Sequence, residues 1–434
     1  MKALLLTVFV ALTTTFTFSQ DLRTAPINRC ASYEVYQQML QNDPAFAKNQ
    51  QSIEQFTKNF LARGGTAAMR MLQGTPVYTI PVIVHVVYHT AAQNISDAQI
   101  QSQIDVLNKD YQKLNTDAGQ VPSVWTNLVA DCQIQFCLAT KDPGNNPTTG
   151  IRRVSTTKAS FSDNDAVKYT SKGGDDAWPS KDYLNLWVCK LGGGLLGYAQ
   201  FPGGKAATDG VVITFNGFGT TGTAKAPYNL GRSATHEIGH WLNLRHIWGD
   251  DGTKCTGSDL VGDTPNQAGQ HFGCPKFPFV SCTNGPNGDM FMNYMDYTDD
   301  RCMFMFTNGQ KDRMYATLVT GGAHHSVTIS GKCASQVVSI SKNAVIPNLL
   351  SVSPNPVNAG TAAVSFKLDK AAQVQLIISD VYGNTVSFIN AGNQVIGEHQ
   401  IRPSEVARLG NGVYVIKLIA SGQQLGTTRF VVNK

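Results

Sequence analysis

The spacing of apolar and polar positions changes along the chain, and each change predicts an element. Residues 20 to about 72 are polar and helical in pattern, with Tyr33, Tyr36, Met39 and Leu40 at mixed helical spacing. Leu61-Ala-Arg-Gly-Gly-Thr66 breaks that pattern and is expected to be flexible and open to proteases. Tyr78-Thr-Ile-Pro-Val-Ile-Val-His-Val-Val-Tyr88 is rich in β-branched residues and predicts a buried strand. Ser96 is placed to cap a helix whose apolar positions Ile100, Ile104, Leu107 and Tyr111 share one face. Further strands are predicted over 133–139, 183–189, 195–201 and 211–215, and a second helix opens near Leu230. A helix between early strands, then more strands and another helix, predicts an α/β layered domain. From Val345 the pattern turns to short alternating segments separated by turn residues, including Ala363-Val-Ser-Phe-Lys-Leu368 and Gly412-Val-Tyr-Val-Ile-Lys-Leu418. That spacing predicts a small all-β sandwich of about seven strands, with the boundary between Ser339 and Asn348.

The first residues read differently. Lys2 precedes an apolar run from Ala3 to Leu12, and small or polar residues follow to Ser19. This predicts a signal peptide cut near Ser19–Gln20. The run is too short to span a bilayer, and no later stretch is long enough, so an exported chain without a transmembrane segment is expected. With 434 residues the chain needs more than one core. Hydrophobic residues at 42% and charged residues at 15% suit a folded extracellular protein rather than a disordered one. The net charge is only +5 and no Lys/Arg run occurs, which argues against nucleic acid as a partner. Export permits disulfides, and nine cysteines leave at least one thiol unpaired within the chain.

The chemistry concentrates in His236-Glu-Ile-Gly-His-Trp-Leu-Asn-Leu-Arg-His246. His236 and His240 stand four apart, so on a helix both imidazoles reach one ion, with Glu237 beside them. On a continued helix His246 would lie about 9 Å further along the axis and roughly 240° around it, out of reach. The helix must therefore stop and the chain turn back. Asn243 is the predicted stop, because Asn tolerates the left-handed conformation that ends helices. Three neutral histidines would leave a tetrahedral zinc with a fourth position for water, whose pKa falls to about 7. Glu237 would take the proton of that water during attack on a carbonyl and pass it to the leaving amine.

With the Trp248-Gly-Asp-Asp251 loop and Met292-Asn-Tyr-Met-Asp-Tyr297, this segment resembles the pappalysin family of the metzincin clan, especially its small bacterial members, over roughly residues 75 to 335. The family usually has Gly where this chain has Asn243. The resemblance implies a secreted zinc endopeptidase, with Met295 beneath the zinc and Tyr297 stabilising the oxyanion. It implies that residues 194–200 include an edge strand that pairs with extended substrate. It also implies calcium on the acidic loop, for which Asp259, Asp263 and Thr264 are the chosen ligands, and disulfides Cys255–Cys282 and Cys274–Cys302. Cys132, Cys137, Cys189 and Cys333 receive no pairing. Better-known relatives carry an acid before the cysteine aligned with Cys302, which selects arginine or lysine in the first primed-side pocket. Arg301 at that position predicts loss of the preference.

Asn28-Arg-Cys-Ala31 resembles the cysteine-switch motif of metallopeptidase propeptides, although Ala31 replaces the usual Gly. Cys30 is thus a candidate ligand of the latent zinc. Removing it leaves eight cysteines, an even number, which favours Cys30 as the odd thiol. Leu350-Ser-Val-Ser-Pro-Asn-Pro-Val357, Val381-Tyr-Gly-Asn384, residues 409–418 and the final Arg429-Phe-Val-Val-Asn-Lys434 resemble the C-terminal sorting domain of the Bacteroidetes type IX secretion system. That resemblance implies the secretion machinery as a partner and passage through the periplasm and outer membrane. The expected organisation is a signal peptide (1–19), a propeptide (20–72), a metzincin-like α/β catalytic domain with a loop-rich C-terminal part (73–338), and a β-sandwich sorting domain (346–434). The rival readings are a zinc-binding adhesin, which has no need of Glu237, and a cell-wall amidase, which has no need of a substrate-pairing edge.

Overall fold

The computed structural model describes residues 29–73, 77–333, 350–358, 362–380, 385–420 and 423–434. The predicted signal peptide, Asn28, the 339–348 boundary and the 381–384 motif lie outside these residues. The chain forms two compact units, divided between Gln336 and Val337. Among the described residues no helix is long and apolar enough to cross a membrane.

The first unit opens with helices α1 (Ser32–Asn42), α2 (Pro44–Ala62) and α3 (Gly65–Gln73). Asp43 accepts from the backbone of Ala45 and Phe46 and so caps α2, with Pro44 at its first position. The predicted break at Arg63–Gly65 is a turn in which Gly64 and Gly65 take φ of 94° and 55°.

The sheet is built around β1 (Tyr78–Tyr88), whose residues 80–87 are all buried. Such a run without alternation belongs to a strand covered on both faces. It pairs in parallel with β2 (Ile134–Leu138), β3 (Ile151–Ser155) and β4 (Leu184–Cys189). β6 (Val211–Thr214) extends the sheet in parallel, and β5 (Gly197–Ala199) closes that side antiparallel to β6. β5 is shorter than the predicted 195–201 strand, and β3 was not predicted.

α4 (Asp97–Asp110) has the expected Ser96 cap, and Ile100, Ile104, Leu107 and Tyr111 enter the sheet core. α5 (Arg232–Trp241) packs on β5 and β6. α6 (Asn308–Leu318) starts with a capping box from Thr307 and Gln310, and α7 (His325–Thr328) follows. The Cys137–Cys333 disulfide ties the end of this unit back to β2.

The second unit is the expected β-sandwich. β7 (Leu350–Ser353), β8 (Ala363–Leu368) and β11 (Gly397–Ile401) form one sheet. β9 (Ala372–Asp380), β10 (Thr385–Gln394), β12 (Gly412–Ala420) and β13 (Gln423–Val432) form the other. Val364, Phe366, Leu376, Ile378, Ile416, Leu418 and Phe430 fill its core. This unit has its own apolar interior.

Candidate metal centre and active site

α5 places His236, Glu237 and His240 on one buried face. The helix then ends as predicted: Asn243 adopts φ 70°, and Leu244 N–H closes back on Gly239 O at 2.9 Å. That reversal brings His246 to the other two. His240 Nε2 lies 3.1 Å from both His236 Nε2 and His246 Nε2. Each opposite nitrogen is committed. His236 Nδ1 faces Tyr294 O at 2.6 Å, His240 Nδ1 faces Leu244 O at 2.8 Å, and His246 Nδ1 faces Asp250 Oδ1 at 2.6 Å. These acceptors fix the Nδ1–H tautomer, so three Nε2 lone pairs converge on one point. Burial and the neighbouring His246 push His236 down to about 3, and burial with the other two rings pushes His240 well below its usual range. Imidazoles whose Nε2 atoms converge in this way fit a cation. Ligands about 2.0–2.1 Å from a tetrahedral ion stand roughly 3.3 Å apart, close to the spacing seen. Among the described residues, Cys30, His236, His240 and His246 form the single group of such donors, all within 4.8 Å of one another.

Asp250 was not among the predicted site residues. Its signal was present in the acidic loop, but only the fold turns it towards His246. Asp250→Ala is expected to weaken metal affinity by about 10- to 100-fold. Competition with a graded chelator measures this, and unchanged affinity would remove Asp250 from the site's support.

Met295 is fully buried under α5. A Cβ on Gly239 would sit 2.5 Å from its sulfur, so glycine at that helix position is required by the methionine below. Tyr297 Oη lies 3.1 Å from His246 Nε2, beside the histidine cluster.

The N-terminal segment fills this site. Arg29 O accepts from Leu196 N at 3.0 Å, and Ala31 N donates to Gly197 O at 3.2 Å, so residues 29–31 run parallel beside β5. Cys30 Sγ stands with the histidines and 3.4 Å from Glu237 Oε2, and Tyr297 Oη donates to Cys30 O at 3.2 Å. Ser32, which sequence reading missed, is equally close. Its hydroxyl donates to Glu237 Oε2 at 2.7 Å and accepts from Ala199 N at 2.7 Å. Burial raises the Glu237 carboxyl to about 7, against the lowering effect of the Ser32 and Cys30 hydrogen bonds.

Arg29 enters a cavity beside the histidines lined by Leu196, Tyr228, Tyr297 and Asp300. Its guanidinium donates to Tyr297 O, lies 3.4 Å from Asp299 Oδ1, and stacks over Tyr228 and Phe272 at 4.8 and 4.9 Å. Here the sequence expectation needs correction. Arg301 is exposed and does not line this cavity. The acid that meets the basic side chain is Asp299. Asp300 is buried and accepts from Leu230 N and Arg232 N, anchoring the start of α5.

The disulfides Cys255–Cys282 and Cys274–Cys302 are present, joined by Cys137–Cys333. The parity argument for Cys30 fails, because Cys30, Cys132 and Cys189 are all free. Cys132 and Cys189 are core residues whose thiols burial pushes far above their usual range. On the acidic loop, Asp259 Oδ2 accepts from Thr264 Oγ1 at 2.8 Å. Asp263 instead accepts from Thr307 Oγ1 and Gly309 N at the start of α6.

Comparison with known proteins adds the following. Residues 168–319 match the family described as Pregnancy-associated plasma protein-A, and residues 351–433 match the secretion system C-terminal sorting domain. An extracellular metalloprotease of Pyricularia oryzae is 35% identical over 262 residues, which cover 58% of this chain and 78% of that protein. Mature mirolysin of Tannerella forsythia, solved with a cleaved peptide, is 53% identical with a TM-score of 0.58, covering 58% of this chain and 96% of that one. A promirolysin mutant from the same organism is 47% identical with a TM-score of 0.64, covering 70% of this chain and 97% of that one.

Proposed function

Since the chain belongs to the Pregnancy-associated plasma protein-A, or pappalysin, family and is a secreted metalloendopeptidase made as a precursor with a type IX sorting tail, we propose that it is a zinc enzyme that cuts peptide bonds before basic residues. The observation that carries the zinc reading is the convergence of three imidazole nitrogens on one point. Zinc bound there supplies Lewis acidity towards a substrate carbonyl and an attacking water. Glu237, beside the converging histidines, would take the proton of that water and deliver it to the leaving amine. The Tyr297 hydroxyl donates to the developing oxyanion. Backbone groups of β5 pair with the substrate once residues 29–31 have left. The adhesin and amidase readings find no support among these relatives.

Arg29 supports the specificity. It is an internal occupant of the cavity next to the reacting centre, held by one carboxylate and two aromatic faces. A substrate running antiparallel to β5 would present the residue after the scissile bond to the same space. Cleavage of a diverse peptide library by the activated protein, with and without a chelator, tests this. Chelator-sensitive cuts before arginine and lysine are expected, and Asp299→Asn should weaken the preference. Cuts with no basic preference would sink the pocket assignment.

Calcium on the acidic loop belongs to the same reading. Asp259 is buried, its carboxyl is raised to about 7 by burial, and no basic side chain is hydrogen-bonded to it. A hard cation held by Asp259 with Thr264 would relieve that cost. Calcium is expected to raise the melting temperature at pH 8, and Asp259→Asn to abolish the rise. Equal melting with calcium and with chelator would remove the site.

A further inference from the structure

The loop-rich part of the catalytic unit contains a buried charge cluster that the chemistry above does not use. His271 lies between two aspartates. Its Nδ1 is 2.8 Å from Asp296 Oδ2 and its Nε2 is 3.1 Å from Asp289 Oδ2. Both carboxylates are fully buried, and His271 is 7% exposed. The cluster is closed rather than leaky. Asp289 also accepts from Ser281 Oγ, and Asp296 Oδ2 also accepts from Gln267 Nε2 at 2.7 Å. A buried Asp–His–Asp triad is stable only with the imidazole protonated, since two desolvated carboxylates need a cation between them. The two acids raise the His271 ring accordingly, against its burial, to about 9.

The position of this triad matters more than its charge. Asp296 stands between Met295 and Tyr297. Its Oδ1 accepts both His271 N and Tyr297 N, each at 2.7 Å. One carboxylate therefore joins the disulfide-bounded loop to the backbone amide of the tyrosine whose hydroxyl faces the histidine cluster. Asp296 could rotate away if its charge were not held from the far side. His271 supplies the cation that holds it there, beside the neutral Gln267 amide, and Asp289 holds His271.

We propose that His271 is a positioning residue for catalysis, which fixes Asp296 and through it the placement of the Tyr297 hydroxyl at the reacting centre. The proposal rests on the reading of Tyr297 as the oxyanion donor. Misplacement of such a donor by an ångström costs about 10- to 100-fold in rate.

A double-mutant cycle on the activated full chain tests it, with kcat, KM and bound zinc measured for H271Q, Y297F and the pair. H271Q is expected to lower kcat by about 10- to 100-fold with KM and zinc content unchanged. In the Y297F background the same change should cost less than about twofold, because no hydroxyl remains to be misplaced. A merely structural histidine would lose activity equally in both backgrounds, and that additivity would overturn the proposal. So would an H271Q enzyme with wild-type kcat. Unchanged kcat in Y297F alone would instead remove the tyrosine's role, and the inference with it. Should the H271Q precursor not fold, D289N carries the same cycle. It leaves the hydrogen bonds of Asp296 in place, and a smaller loss that vanishes against Y297F is expected, while an additive loss overturns the proposal.

Discussion

Glu237→Ala is expected to lower kcat by about 10² to 10⁴ while the protein keeps a full equivalent of zinc. The two halves of that result separate binding from proton transfer. The donors that converge on the metal point are three imidazoles and, in the precursor, one thiol, and each imidazole is oriented by an acceptor of its own. None of those contacts involves Glu237. The carboxylate contributes instead a proton acceptor, packed against Gly197, where a Cβ would stand 2.8 Å from Glu237 Cγ. Turnover at the wild-type rate would remove Glu237 from the mechanism. Loss of zinc together with turnover would show that the carboxylate supports the site rather than the reaction.

Ser32→Ala in a precursor protected from self-cleavage is expected to raise residual activity by roughly 10- to 100-fold, and Cys30→Ala by at least as much. Ser32 makes two contacts that substrate needs free. It donates to Glu237, and it takes the Ala199 N–H from the edge strand. A hydrogen bond to a charged group contributes about 1.5–3 kcal/mol, which sets the scale of the expected rise. The thiol of Cys30 stands within 4.8 Å of the three imidazole nitrogens, so its loss is expected to open the metal itself. The readout is the initial rate of cleavage of a short peptide by each precursor. If both single variants are as silent as the parent, latency comes from the bulk of the helices over the cleft and not from these side chains.

The metal site was legible because its signal is local. Four-residue spacing, a nearby Asn and a third histidine need no knowledge of the rest of the chain. The sheet was legible from β1, whose buried run from Ile80 to Val87, interrupted by His85 alone, does not alternate. What could not be read depends on contacts between distant segments. Ser32 sits in a polar helix without distinguishing periodicity, and its role comes from Glu237, 205 residues away. The pocket acid failed for a different reason. Asp300–Cys302 form a turn of 3-10 helix, in which successive side chains point about 120° apart, so neighbours in sequence face different surroundings. Reading Arg301 as the pocket residue put the wrong face of that turn inwards. α6 was missed because Lys311 and Arg313 are buried within it and hide its apolar period. Arg313 is buried because Glu54 from α2 pairs with it, while Asn243 also donates to the same carboxylate.

The pairing of residues 29–31 with β5 has a consequence outside enzymology. An edge strand with open backbone groups will accept any extended chain, and a protein awaiting export is surrounded by chains that have not finished folding. In the precursor that edge is already occupied. The segment that fills the active site would therefore also keep the edge from templating aggregation, and colloidal safety and latency would end together when it departs.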